Sequence, residues 1–268
     1  MFFVAIRGDS NAAAAIINKW VAEKTNNKIT QIVSAEDVSR LTRLVLVNAI
    51  YFKGDWLTKF DINDTRDHDF HISPTESVKV KMMHMKSIKL FYGVSSELNA
   101  EAIELPYTGE NLSMVILLPD TGTTLSQLEE KLTSDDLAFV KEKFSMSLEE
   151  VKLWLPRFSL DEKLDLAEVL KRMGMRGLFT AGVADLSGLD GSKDLFVTKA
   201  LHRAVVEVNE EGTEAAAATA VVMENRSQPR EKIFYANHPF LFFIQDKATR
   251  SILFLGRLVK PPAAATPN

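Results

Sequence analysis

The sequence predicts an α+β protein. Helical and extended segments are interspersed without a regular strand-helix alternation, which argues against a doubly wound parallel sheet. The extended segments are short and bounded by turn residues, and apolar residues make up 46% of the 268 positions, enough for a substantial core. Charged residues make up 25% and the formal net charge is −4, so neither a nucleic-acid partner nor an anionic membrane surface is expected. No apolar run has the length needed to span a bilayer.

The elements follow in order. Asp9 to Thr25 reads as a helix: Asp9 or Ser10 can cap it, Ala12 to Ala15 favour it, and Ile16, Ile17, Trp20 and Val21 share one face. Leu41 to Phe52, rich in Leu, Val and Ile, reads as a strand buried on both faces. Asp69–Ile72 and Val78–Met83 are short strands around Ser73-Pro74. Ala102–Leu105 and Leu112–Leu118 form a hairpin about Tyr107-Thr108-Gly109-Glu110. Helices are expected over Leu125–Leu132, Asp135–Phe144 and Leu164–Met173, with a strand at Glu150–Leu155 stopped by Pro156. The last third holds strands at Ala204–Asn209, Ile233–Tyr235, Phe240–Gln245 and Ile252–Leu258.

Several chemistries are missing from the sequence. There is no G-x-S-x-G, no phosphate-binding loop and no G-x-G-x-x-G, so an enzyme is the weakest class and no cofactor is expected. There are no cysteines, which removes thiolate ligands and nucleophiles. His68 and His71 are the two close histidines, and three-residue spacing on a strand turns them to opposite faces, so no metal site is expected. The cluster Met82-Met83-His84-Met85 reads as core filling.

The informative stretch is Glu210-Glu211-Gly212-Thr213-Glu214-Ala215-Ala216-Ala217-Ala218-Thr219-Ala220-Val221-Val222. Four alanines favour a helix, but Gly212 before them and β-branched Thr219, Val221 and Val222 after them oppose one. Read as a strand, alternate residues Thr213, Ala215, Ala217, Thr219 and Val221 form an uncharged face of small or β-branched side chains. Glu214 falls on the other face, and Gly212 supplies a hinge. Such a segment suits a loop that later enters a sheet.

This run resembles the hinge of inhibitory serpins. Phe234-Tyr235-Ala236-Asn237-His238-Pro239-Phe240-Leu241-Phe242-Phe243-Ile244 resembles that family's signature. Leu46-Val47-Asn48-Ala49-Ile50-Tyr51-Phe52-Lys53-Gly54-Asp55-Trp56 resembles the third strand of its main sheet. Val197–Ala204 resembles the lead-in to the strand before the loop, and Ile252–Arg257 the C-terminal strand. The resemblance implies the serpin fold, with a large mixed main sheet, further sheets and surrounding helices. It also implies a suicide-substrate inhibitor of proteases whose cut loop inserts as a new strand.

By the family's spacing from Gly212, the attacked bond falls between Arg226 and Ser227, with Arg230 or a neighbouring bond as alternatives. An Arg there suits a specificity pocket ending in a carboxylate, so the implied partner is a trypsin-like serine protease held covalently. The resemblance also implies that Asn48 and His202 bond beneath the main sheet and control its opening. Trp56, Arg157 and Glu210 match positions where the loop begins to insert, with a Glu210–Arg157 pairing at its base.

The match starts at about Asp9, and Met1 to Gly8 is an unmatched lead. Earlier family helices have no counterpart, so the expectation is one serpin domain over 1–268 lacking its N-terminal third, with loop and exit at 210–232 and a disordered tail at 261–268. No heparin site is expected, because the helix that carries it in some relatives falls in the missing part. Sequons at Asn63, Asn111 and Asn225 point to a secreted, extracellular glycoprotein, with a cytoplasmic location as alternative. The competing functions are a non-inhibitory serpin-fold binding module and an inactive fragment.

Overall fold

A computed structural model describes residues 9–38, 42–191, 193–211 and 231–261. Helix α1 spans Ser10–Lys24, and Asp9 caps it: its Oδ1 accepts from the backbone N–H groups of Asn11 and Ala12, each at 3.0 Å. Strands β1 (Leu44–Lys53), β2 (Arg66–Ser73), β3 (Glu76–Ser95), β4 (Ala100–Pro106) and β5 (Leu112–Pro119) follow. Helices α2 (Leu125–Lys131), α3 (Ser134–Ala138) and α4 (Val140–Lys143) precede β6 (Ser147–Pro156) and β7 (Phe158–Asp165). Then come α5 (Ala167–Arg172), α6 (Ser187–Asp190), β8 (Val197–Val208), β9 (Lys232–Tyr235), β10 (Phe240–Asp246) and β11 (Ile252–Leu258). Among the described residues no helix is long and apolar enough to cross a membrane.

The described chain forms two compact units. One takes the residues up to Lys53 with Ser159–Glu207; the other takes Gly54–Phe158 and the residues from Val208 on. The first holds a three-stranded sheet ordered β1-β8-β7. β1 and β8 run parallel, from Leu44 opposite Val197 to Lys53 opposite Glu207. Val45, Val47, Ala49 and Tyr51 of β1 and Leu201 and Val205 of β8 share a core with Ala13, Ala14, Ile17, Trp20 and Val21 of α1. The helix therefore buries its apolar stripe against both strands at once.

The second unit holds an eight-stranded sheet ordered β11-β10-β5-β4-β3-β6-β9, with β2 also paired to β3. Its pairs are antiparallel except β6 with β9. Leu128, Val140 and Phe144 pack over Ala102, Val115, Leu117 and Phe243. Met82, Met83 and Met85 are buried, which agrees with their reading as core filling.

Several expectations need correction. β1 is not buried on both faces: Leu46 is 43% exposed, because the odd positions face α1 and the even positions turn the other way. The helix expected over Leu164–Met173 begins only at Ala167, since Leu164 and Asp165 end β7. Asp135–Phe144 splits into α3 and α4 at Phe139, whose φ of −117° and ψ of 40° leave the helical region. β3 runs 20 residues rather than six because a register shift between Met85 and Ile88 carries it past Lys86-Ser87. β8 begins at Val197, so the expected lead-in is itself strand.

Candidate functional site

The predicted site residues fall into two groups. Asn48 and His202 are direct register partners on β1 and β8, and His202 Nδ1 lies 2.9 Å from Asn48 Oδ1. The side-chain bond therefore spans the two strands it was expected to control. His202 is half-buried and Asn48 exposed. They share the even-numbered face with Leu46, opposite to the face covered by α1.

Trp56, Arg157 and Glu210 come together in the other unit. Trp56 is buried, stacks on Tyr107 at 4.5 Å with 10° between ring planes, and donates Nε1–H to the Asn209 carbonyl at 2.8 Å. That bond fixes the backbone one residue before Glu210. Glu210 is 6% exposed, and its Oε1 accepts from Arg157 Nη2 at 2.5 Å and from Thr65 Oγ1 at 2.7 Å. Burial opposes its ionisation, yet the hydrogen bonds from Arg157 and Thr65 outweigh it and hold the carboxyl below the usual glutamate range. The arrangement is a charged anchor at the point where the chain leaves β8.

The roles of Thr65 and Tyr107 at this site are not visible in the sequence, where Tyr107 reads only as a hairpin-turn residue. Thr65 reads there only as the third residue of the Asn63 sequon, yet its hydroxyl is spent on Glu210. Separations of 145 residues to Glu210 and of 51 between Trp56 and Tyr107 leave no local pattern to detect. Gly212, Thr213, Glu214, Ala215, Ala216, Ala217, Ala218, Asn225, Arg226 and Ser227 lie outside the described residues. Asn63 and Asn111 are exposed, and Asn63 Nδ2 donates to Asp61 Oδ1 at 3.0 Å.

Residues 3–261 match the family model described as serpin (serine protease inhibitor). The chain belongs to the serpin family. This serpin is 48% identical over 253 residues to a leukocyte elastase inhibitor of Bos taurus, a match covering 93% of the chain and 67% of the relative. It is 45% identical over 256 residues to the Homo sapiens protein of the same name, covering 94% and 67%. Among solved structures, uncleaved ovalbumin superposes with a TM-score of 0.85 at 33% identity, covering 96% of this serpin and 65% of ovalbumin. Serpin48 of Tenebrio molitor gives 0.80 at 36% identity, covering 95% and 66%. The chain thus spans about two thirds of the length of the relatives it matches.

The relatives overturn the extracellular expectation: leukocyte elastase inhibitors are intracellular serpins. Exposed sequons are poor guides to compartment, because the tripeptide arises often by chance and is glycosylated only on the secretory route.

Proposed function

We propose that this serpin is a suicide-substrate inhibitor of serine proteases, and that Arg226–Ser227 is the bond it offers to a trypsin-like enzyme. The protease serine attacks the Arg226 carbonyl carbon. The peptide bond to Ser227 breaks, the new amine leaves with a proton, and Arg226 stays as an ester on the protease. The serpin supplies no catalytic group; its part is to insert the cut loop before water hydrolyses that ester.

The observation that carries this reading is the parallel pairing of β1 with β8. The loop continues from the C-terminal end of β8, so a loop strand folding back would run antiparallel to both. Inserted between them, it exchanges one parallel ladder for two antiparallel ones, whose pairing is slightly more stable per residue. The face formed by Thr213, Ala215, Ala217, Thr219 and Val221 carries no charge into the sheet. The hinge lacks the bulky or charged entering residues that would suit a non-inhibitory binding module.

A second reading concerns the target alone. The relatives are named for leukocyte elastase, and Val221-Val222-Met223 offers aliphatic side chains just before the proposed bond. Incubation with trypsin and, separately, with leukocyte elastase, followed by denaturing electrophoresis and sequencing of the released fragment, tests both. A covalent adduct with trypsin and a fragment starting at Ser227 are expected. An adduct with elastase alone, cut within Val221–Met223, would transfer the target to elastase; cleavage by both enzymes without adduct would sink inhibition.

A further inference from the structure

The face of the β1–β8 pair that packs under α1 carries a side-chain bridge that the family resemblance does not supply. Tyr51 on β1 donates its hydroxyl to Glu207 Oε2 on β8 at 3.1 Å. In register Tyr51 faces Val205 and Lys53 faces Glu207, so Tyr51 and Glu207 are diagonal neighbours on one face. Lys28, in the turn after α1, joins both: its Nζ lies 3.3 Å from Glu207 Oε1 and 5.1 Å from the centre of the Tyr51 ring. Asn48–His202 spans the same two strands from the opposite face.

Arg203 and Lys199 behave differently. Arg203 Nη2 pairs with Asp161 Oδ2 at 2.6 Å on β7, a strand that neighbours β8 and can move with it. Lys199 and Lys163 both reach Asp37, again tying β8 and β7 to one segment. Neither contact must break when β1 and β8 part. The Tyr51–Glu207 bond must, because a strand placed between them sets them two strand spacings apart, roughly 9.6 Å instead of about 4.8 Å.

We propose that Tyr51, Glu207 and Lys28 form a clasp that sets how readily the sheet opens, and so how the protein divides between trapping a protease and being cut as a mere substrate. This rests on the insertion reading above. The Tyr51–Glu207 bond stabilises the uncut form and has no counterpart in the inserted form, so its contribution opposes opening. Loosening it speeds insertion relative to hydrolysis of the ester. Tyr51 and Glu207 are positioning residues; neither touches the protease.

The test is a double-mutant cycle of Tyr51→Phe and Glu207→Gln, read by urea unfolding of the uncut protein and of protein nicked in the loop. Both substitutions keep size and shape. In the uncut form the two residues should couple by about five-fold in the unfolding constant. In the nicked form the coupling should vanish. Alongside, Tyr51→Phe should lower the moles of inhibitor consumed per mole of protease trapped, with the association rate constant unchanged. Equal coupling in both forms, or none in the uncut form, overturns the clasp while leaving the insertion reading intact. If nicking fails to stabilise the wild-type protein at all, insertion itself fails and the clasp's role goes with it.

Discussion

Arg157 Nη2 lies 2.5 Å from Glu210 Oε1, and that pair anchors the chain two residues past the end of β8. The Glu210 side chain is 6% exposed and that of Arg157 40%, so the two ends of the contact differ in what they lose when it breaks. Removing the carboxylate leaves an arginine that still reaches solvent in part, whereas removing the arginine strands a buried charge.

Glu210→Gln therefore should lower stability by about 1–2 kcal/mol at neutral pH, and Arg157→Ala by more, about 2–3 kcal/mol, in urea unfolding. The pH dependence follows from the sign of the shift. The folded Glu210 carboxyl titrates below its unfolded value, so its contribution is present above the ordinary glutamate range and is lost as pH falls through the folded value. In Glu210→Gln that part of the acid destabilisation should be missing.

Glu101 gives the opposite sign. Its carboxyl is pushed up to about 7 by burial, against the hydrogen bond that Tyr92 OH donates to its Oε2 at 2.9 Å. The folded state then holds a proton that the unfolded state has released between the ordinary glutamate range and neutrality, and stability falls with rising pH across that window. Glu101→Gln should be close to neutral at pH ~5 and stabilising by about 1–2 kcal/mol at pH ~8, as read by chemical unfolding at the two values.

Gly93→Ala tests the core of the second unit. A Cβ there would collide with the Phe144 carbonyl oxygen and come within 2.9 Å of Met146 Cα, so backbone rather than a flexible side chain must move. A loss of about 3 kcal/mol is expected. At Gly256 the nearest obstacle is the tip of the Phe242 ring at 2.8 Å, which can give, so Gly256→Ala should cost less.

Ala217→Arg places a charge on the face proposed to enter the sheet. Burying an unpaired guanidinium costs several kcal/mol, and each 1.4 kcal/mol changes a rate about ten-fold. The variant should be cut at the usual rate but give an adduct yield lower by roughly ten-fold or more.

How much of this was legible in the sequence depended on locality. α1, its Asp9 cap and the β4–β5 hairpin follow from nearest-neighbour patterns and appear where expected. β7 was invisible: most of Phe158–Asp165 is exposed, its second half shows no apolar alternation, and pairing with β8 plus the Arg203–Asp161 contact hold it extended. The Glu210–Arg157 and Asn48–His202 pairs were readable through family resemblance, since 53 and 154 residues separate the partners. Thr65 and Tyr51 had neither a local pattern nor a family role to mark them.

Intact-mass measurement of the product formed with trypsin under denaturing conditions shows whether Arg226 is held as an ester on the protease. Trapping at Arg226–Ser227 gives a species equal to trypsin plus residues 1–226 less one water, with residues 227–268 released. Complete conversion to the two serpin fragments, with trypsin at its free mass, would contradict it.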